Sequence, residues 1–82
     1  MESTYLKYQI LKTISEGKEP HWLDLDLSKD EFGILIERLN EAAFLENATV
    51  TRGGQGYKVQ FIHLKHSKVT NSGYKFIESY DK

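Results

Sequence analysis

The chain has 82 residues, no cysteine and a formal net charge of −1. This length fits a single domain over residues 1–82, and a chain without cysteine forms neither a disulfide nor a thiolate metal site. Its apolar runs are only a few residues long, far short of a membrane span, and no signal peptide opens the chain. We therefore expect a cytoplasmic protein with no membrane role.

Charge is unevenly divided along the sequence. Residues 1–51 contain five Lys and Arg residues against ten acids, whereas residues 52–77 contain five basic residues and no acid. Such an asymmetry is typical of a face that binds polyanions, but it is equally typical of two halves of a small domain that attract one another. The sequence leaves both interpretations open.

The first predicted element is a helix that begins after Ser3 or Thr4. Its apolar stripe repeats every fourth residue, at Leu6, Ile10 and Ile14. Gly17 is placed to end the helix in the left-handed conformation, with a proline three residues beyond.

The next segment, KEPHWLDLDLS, alternates apolar and acidic residues. Leu23, Leu25 and Leu27 are separated by single aspartates, which is the period of a strand with one buried face. The pattern predicts a short strand over residues 22–26 that joins a later hairpin as a third strand. Trp22 is expected to cover one end of the core.

A central helix is predicted from Lys29 to about Ala42. Ser28 and Glu31 form a capping box, in which the hydroxyl and the carboxylate each accept a hydrogen bond from a free backbone amide. The apolar stripe at helical spacing comprises Phe32, Leu35, Ile36, Leu39 and Ala43. On a helical wheel the outer face then carries Asp30, Gly33, Ile34, Glu37, Arg38 and Glu41.

A β-hairpin is predicted directly after this helix. Its strands read ATVTR and YKVQFI. The segment RGGQG, which begins with the last residue of the first strand, supplies three glycines, which readily adopt the positive φ angles that suit the turn at the hairpin tip. Alternation places Ala48 and Val50 inward on the first strand, and Tyr57, Val59 and Phe61 inward on the second.

A last helix follows Thr70, which is its predicted cap. The inner stripe is expected to be Gly73, Phe76, Ile77 and Tyr80, with Gly73 allowing close approach to a neighbouring element. His63 and His66 lack cysteine or acidic neighbours, so we expect no metal and no cofactor. The sequence also suggests no catalytic grouping and no small-molecule substrate, so we expect no enzyme activity.

Helix, short strand, helix, hairpin and helix make an α+β fold of the small winged-helix type. The segments YLKYQILKTISEG, LNEAAFLENATVTRGGQG and VTNSGYKFIES resemble the YjcQ-type winged-helix proteins of Gram-positive bacteria and their phages. Thr70, Gly73, Phe76 and Ile77 match the closing motif of that family. The resemblance implies a winged-helix fold and, by association, a phage-related DNA-binding transcriptional regulator. One departure is that only about ten residues separate Gly17 from Ser28, too few for a full helix before the recognition helix.

Two functions follow as hypotheses. The outer face of the central helix offers three acids against one arginine, which suits a phosphate-lined groove poorly. Binding of double-stranded DNA is therefore expected mainly through a basic wing, which either follows the backbone or places Arg52 in a minor groove. The candidate residues are Lys29, Arg52, Gln55, Lys58, Lys65 and Lys68. These residues are equally typical of a solvated edge ribbon, where lysine discourages aggregation of sheets. The alternative is a protein-interaction module or homodimer without DNA binding, which uses the outer face of helix 28–42 at Gly33, Ile34, Glu37 and Arg38.

Overall fold

The computed structural model describes residues 3–54, 56 and 58–81. Within these residues the chain forms a small α+β fold with three α-helices, one short 3-10 helix and two antiparallel pairs of strands. The elements in chain order are α1 (Ser3–Ser15), the 3-10 helix (Trp22–Leu25), α2 (Lys29–Glu41), β1 (Leu45–Glu46), β2 (Thr49–Gly53), β3 (Lys58–His63), β4 (Lys68–Val69) and α3 (Asn71–Asp81).

The core lies between α1 and α2 and is closed by β1, β4 and α3. Four of the five residues of the predicted apolar stripe of α2 are buried, namely Phe32, Leu35, Ile36 and Leu39. Complete burial of such a side chain contributes about 1.5–3 kcal/mol relative to exposure. The largest side chains with almost no solvent contact are Phe32, Ile10, Leu11, Ile36 and Leu39.

Both ends of α2 are set by local hydrogen bonds. The predicted capping box is confirmed, since Ser28 Oγ accepts the Glu31 amide at 3.1 Å and Glu31 Oε1 accepts the Ser28 amide at 2.9 Å. At the other end Ala43 adopts a left-handed conformation with φ of 62°. The Phe44 amide donates to Leu39 O at 2.9 Å, and this is the Schellman arrangement that ends helices. Ala43 is therefore exposed and does not extend the buried stripe.

The predicted strand over residues 22–26 is wrong, because this segment is a 3-10 helix. His21 Nδ1 accepts the Leu23 amide at 3.2 Å, and Asp26 takes a left-handed conformation that lets Leu27 donate to Trp22 O at 2.9 Å. These local bonds satisfy the backbone groups that a strand would offer to a neighbour. Leu23 is 72% exposed, so the leucine alternation does not mark a buried face.

The hairpin of β2 and β3 forms where the sequence predicts it, but its second strand contains a bulge. Val50 pairs with Ile62 and Thr51 with Phe61, whereas the next pair is Arg52 with Val59, which leaves Gln60 without an opposite residue. An extra residue reverses the alternation beyond it. Ile62 therefore turns inward, and the prediction that Phe61 faces inward is wrong, since its side chain is 60% exposed. Tyr57, also predicted to face inward, lies outside the described residues.

A second, two-residue ladder closes the molecule, and sequence analysis missed it. In this ladder β1 pairs antiparallel with β4, with Leu45 opposite Val69. Thr70 caps α3 as predicted, because its hydroxyl accepts the Gly73 amide at 3.1 Å. A Cβ on Gly73 would lie 2.6 Å from Val69 Cγ1, so the predicted close approach is confirmed.

The predicted inner stripe of α3 is only partly buried. Gly73 and Ile77 are buried and Phe76 is half-buried, whereas Tyr80 is exposed at the edge of the helix. There it stacks on Tyr8 of α1 with ring centroids 4.4 Å apart.

Candidate nucleic-acid interface

The outer face predicted for α2 is largely covered by the hairpin. The Val59 amide donates to Asp30 Oδ1 at 3.0 Å, and Asn40 Nδ2 donates to Ala48 O at 2.8 Å. Gly33 lies between these contacts and is buried, because a Cβ at this position would lie 2.7 Å from Val59 Cγ2. The prediction that Gly33 and Asp30 face outward is therefore wrong. We call the residues Asp30, Gly33, Glu37 and Asn40 the support stripe.

Glu37 of the support stripe forms a bidentate ion pair with Arg52 of β2. Arg52 Nε donates to Glu37 Oε2 at 2.9 Å, and Nη2 donates to Oε1 at 2.7 Å. The hydrogen bonds and charge of the guanidinium lower the pKa of Glu37, although partial burial of the carboxylate opposes this shift. The pair joins the acidic and basic segments of the chain, so attraction between the two halves accounts for part of the charge asymmetry.

The part of α2 that stays exposed is a narrow ridge of Glu31, Ile34, Arg38 and Glu41. Ile34 is 40% exposed, as the helical wheel predicts. With two acids and one base, the ridge carries a formal charge of −1. A helix with this charge is repelled by the phosphates on both sides of a DNA groove.

The structure does not gather the predicted DNA-binding residues at one point. Lys58 is exposed at the start of β3, whereas Lys65 and Lys68 are exposed beyond the end of this six-residue strand. At about 3.3 Å per residue, β3 keeps these two groups roughly 17 Å apart. Arg52 is held in its ion pair, and Gln55 lies outside the described residues.

Lys29, the remaining candidate, belongs to a surface group that sequence analysis did not find. Its ammonium group lies 5.9 Å from the Trp22 ring centroid and 5.7 Å from that of Phe61. His21 stacks on Trp22 at 4.0 Å, and the ring of His63 lies 6.0 Å from that of Phe61. We call these five residues the aromatic–lysine cluster. It joins the 3-10 helix, the start of α2 and β3.

The outer face of the hairpin continues this cluster. Residues opposite one another in a ladder share a face, so Thr51 accompanies Phe61 and Thr49 accompanies His63. Lys58, opposite Gly53, follows on the same face. We call this surface, with Thr49, Thr51, Lys58, Phe61 and His63, the ribbon face. It contains no acid, and no Asp or Glu occurs anywhere from residue 47 to residue 77.

In the part of the chain that the structure describes, no three His, Asp or Glu side chains are grouped so that they could hold a metal ion. None of the helices described has the length and apolar character needed to cross a bilayer. The chain matches no protein-family model, and comparisons with curated proteins and with solved structures found no match either.

Proposed function

We propose that this protein is a small winged-helix DNA-binding protein, of the YjcQ type and phage-related, in which the β2–β3 hairpin is the wing. In this proposal α2 occupies the place of the recognition helix, and the short 3-10 helix Trp22–Leu25 replaces the helix that normally precedes it. The direct passage from α2 through β1 into the hairpin supports this assignment. The protein would act in the cytoplasm as a transcriptional regulator without enzyme activity.

One observation carries the proposal, namely the acid-free segment with its exposed lysines. Lys58, Lys65 and Lys68 are all exposed, and the segment from residue 47 to residue 77 contains no acid. Lys68 has Glu46 opposite it in the β1–β4 ladder, so Lys58 and Lys65 carry most of the argument. Lysine side chains at such positions bind phosphates and release the counterions condensed on DNA. The contact is therefore with the backbone of duplex DNA.

The proposal assigns different roles to α2 and to Arg52. The exposed ridge of α2 repels phosphate, so in this proposal α2 supports the wing and does not read bases. Arg52 anchors the wing through Glu37. Binding should accordingly depend strongly on salt and only slightly on base sequence.

The test is a titration with a short DNA duplex at two salt concentrations. With roughly three phosphate contacts, affinity should fall about 40-fold between about 50 and 200 mM salt, because log K falls by about 0.9 per contact per log unit of salt. Replacing Lys58, Lys65 and Lys68 together by Gln should remove most of this dependence. The matched control is Lys18→Gln, an exposed lysine outside the acid-free segment. Absence of duplex binding at the lower salt would contradict the proposal.

A second candidate function rests on the exposed ridge of α2. Ile34 is an exposed branched apolar residue flanked by Glu31 and Arg38, a composition that suits a protein partner or a second copy better than DNA. Ile34→Asp should then abolish self-association or partner binding and leave circular dichroism unchanged. Sedimentation of the wild type and the variant measures this, and identical monomeric behaviour of both would exclude the homodimer.

A further inference from the structure

We propose that the ribbon face binds single-stranded nucleic acid, with an unpaired base stacked on Phe61 and its phosphates held by Lys29 and Lys58. This inference goes beyond the proposed duplex binding, because it assigns a different ligand and different contact residues. It rests on the position of Phe61, on the cations beside it and on the charge of the surrounding surface.

The position of Phe61 is the first argument. The bulge at Gln60 turns its ring out of the core, and 60% of the side chain is exposed. Its partner across the ladder is Thr51, which is too small to cover an aromatic ring. An exposed aromatic ring on the face of a β-ribbon is the arrangement on which proteins stack unpaired bases.

The cations beside the ring are the second argument. The Lys29 ammonium lies over one face of the Phe61 ring, 5.7 Å from its centroid. In this proposal the base stacks on the opposite face, and its phosphate is within reach of that ammonium. Lys58 lies on the same face toward the tip, and the His63 ring lies 6.0 Å from Phe61 on the other side. The carboxylate of Asp30, the acid next to Lys29 in sequence, is directed toward β3, where its Oδ1 accepts the Val59 amide at 3.0 Å.

The geometry favours an unpaired strand over a duplex for this face. Phe61 lies in the middle of β3 and not at the tip of the hairpin, so the ring is presented on a broad surface and not as a wedge. In a duplex both faces of each base are covered by neighbouring bases. A ring in this position therefore meets a base face only where the strand is unpaired.

The experiment measures fluorescence anisotropy of a labelled oligothymidine of about 15 nucleotides, long enough to span one binding site. Phe61→Ala should weaken binding about 5- to 150-fold, the range for loss of one base–aromatic stack. Phe61→Tyr keeps a stacking ring and should bind like the wild type. The matched control is Tyr74→Ala, which removes a similarly exposed ring from α3, away from the ribbon face.

The remaining outcomes separate this inference from the proposed function. Binding of oligothymidine without binding of duplex supports the inference and removes the duplex proposal, and the reverse result overturns the inference alone. Equal affinities of the wild type and Phe61→Ala overturn it as well, because binding would then be purely electrostatic.

Sedimentation gives a further test of the inference. If the wild type dimerises and Phe61→Ala does not, Phe61 lies in a dimer interface and the inference is overturned. If Phe61→Ala fails to fold, NMR of the wild type decides: Phe61 ring signals must shift upfield with oligothymidine, and unshifted signals refute stacking.

Discussion

Helix α2 and the β2–β3 ribbon meet along one line and present opposite chemistry to solvent. The helix exposes Glu31, Ile34, Arg38 and Glu41, a ridge with a net negative charge. The ribbon face exposes an aromatic ring, two threonines, a histidine and a lysine, without any acid. The polar residues of α2 that suggest a binding surface in the sequence are mostly used internally, because the hairpin lies on them.

This difference shows how a small domain distributes its polar residues. A hairpin of two strands is marginal by itself and needs a supporting surface. Here the support stripe of α2, whose residues are three or four positions apart, supplies a hydrogen-bond acceptor, a glycine that allows close approach, one partner of an ion pair and an amide donor. This face of the helix is thereby committed to structure, whereas the outer face of the ribbon stays exposed to solvent.

The largest effect is expected where the helix and ribbon approach most closely. Gly33→Ala would bring a methyl group to 2.7 Å from Val59 Cγ2, and the stiff valine cannot yield without moving its strand. We expect a loss of about 1–3 kcal/mol in the free energy of unfolding, the usual range for overpacking. Urea denaturation measures it.

The matched control for this prediction is Ile34→Ala, one position further along α2. Ile34 is exposed, so its truncation should change stability by no more than about 0.5 kcal/mol. If Gly33→Ala proves as harmless as this control, the ribbon is not packed on α2 in the way described.

A smaller loss is expected from removal of the Asp30 carboxylate. Asp30→Ala leaves the half-buried Val59 amide without its acceptor, which should cost about 1–2 kcal/mol. Asp30→Asn keeps an acceptor oxygen at the same place, so its loss in the free energy of unfolding should be clearly smaller. Equal losses in the two variants would show that the charge at the helix N-terminus matters here, and not the bond to β3.

The smallest effect concerns the ion pair and its pH dependence. Because Arg52 lowers the pKa of Glu37 below its ordinary value of 4.5, the pair stabilises the fold above that pH and loses its contribution as pH falls through the lowered pKa. Glu37→Gln should therefore cost about 0.5–1 kcal/mol at neutral pH, a value reduced by solvent exposure of both side chains. The difference from the wild type should vanish in strong acid.

Melting curves over a series of pH values check this prediction. Glu41→Gln, on the exposed ridge of α2, serves as the control and should follow the wild type throughout. A difference between Glu37→Gln and the wild type that persists at low pH would show that the ion pair is not its source.

Much of the fold could be predicted from local sequence signals. The Ser28–Glu31 capping box, the apolar stripe of α2, the left-handed Gly17 and the close approach of Gly73 all act over a few residues, and the structure has each of them. The strand predicted over residues 22–26 was wrong, because alternation alone does not distinguish a strand from a 3-10 helix. Here His21 caps the backbone locally and so favours the 3-10 helix. The β1–β4 ladder could not be predicted, because a strand of two residues is too short to show an alternating pattern.

The candidate site could be predicted only in part. Exposed lysines in an acid-free segment are visible in composition, and the structure leaves Lys58, Lys65 and Lys68 in solvent. The aromatic–lysine cluster could not be predicted, because it depends on the bulge at Gln60 that turns Phe61 outward. No residue type in β3 marks that bulge. A helical wheel likewise cannot show which polar face of α2 another element will cover.

The central claim is that the ribbon face, and not the ridge of α2, contacts nucleic acid. An amide-shift NMR titration with a short DNA, first single-stranded and then duplex, tests it most directly. We predict shifts at Lys29 and across residues 58–68, led by Phe61 and its neighbours for the single strand, with the amides of Ile34 and Arg38 unmoved. Shifts concentrated on Ile34 and Arg38, or no shifts with either DNA, would contradict the account.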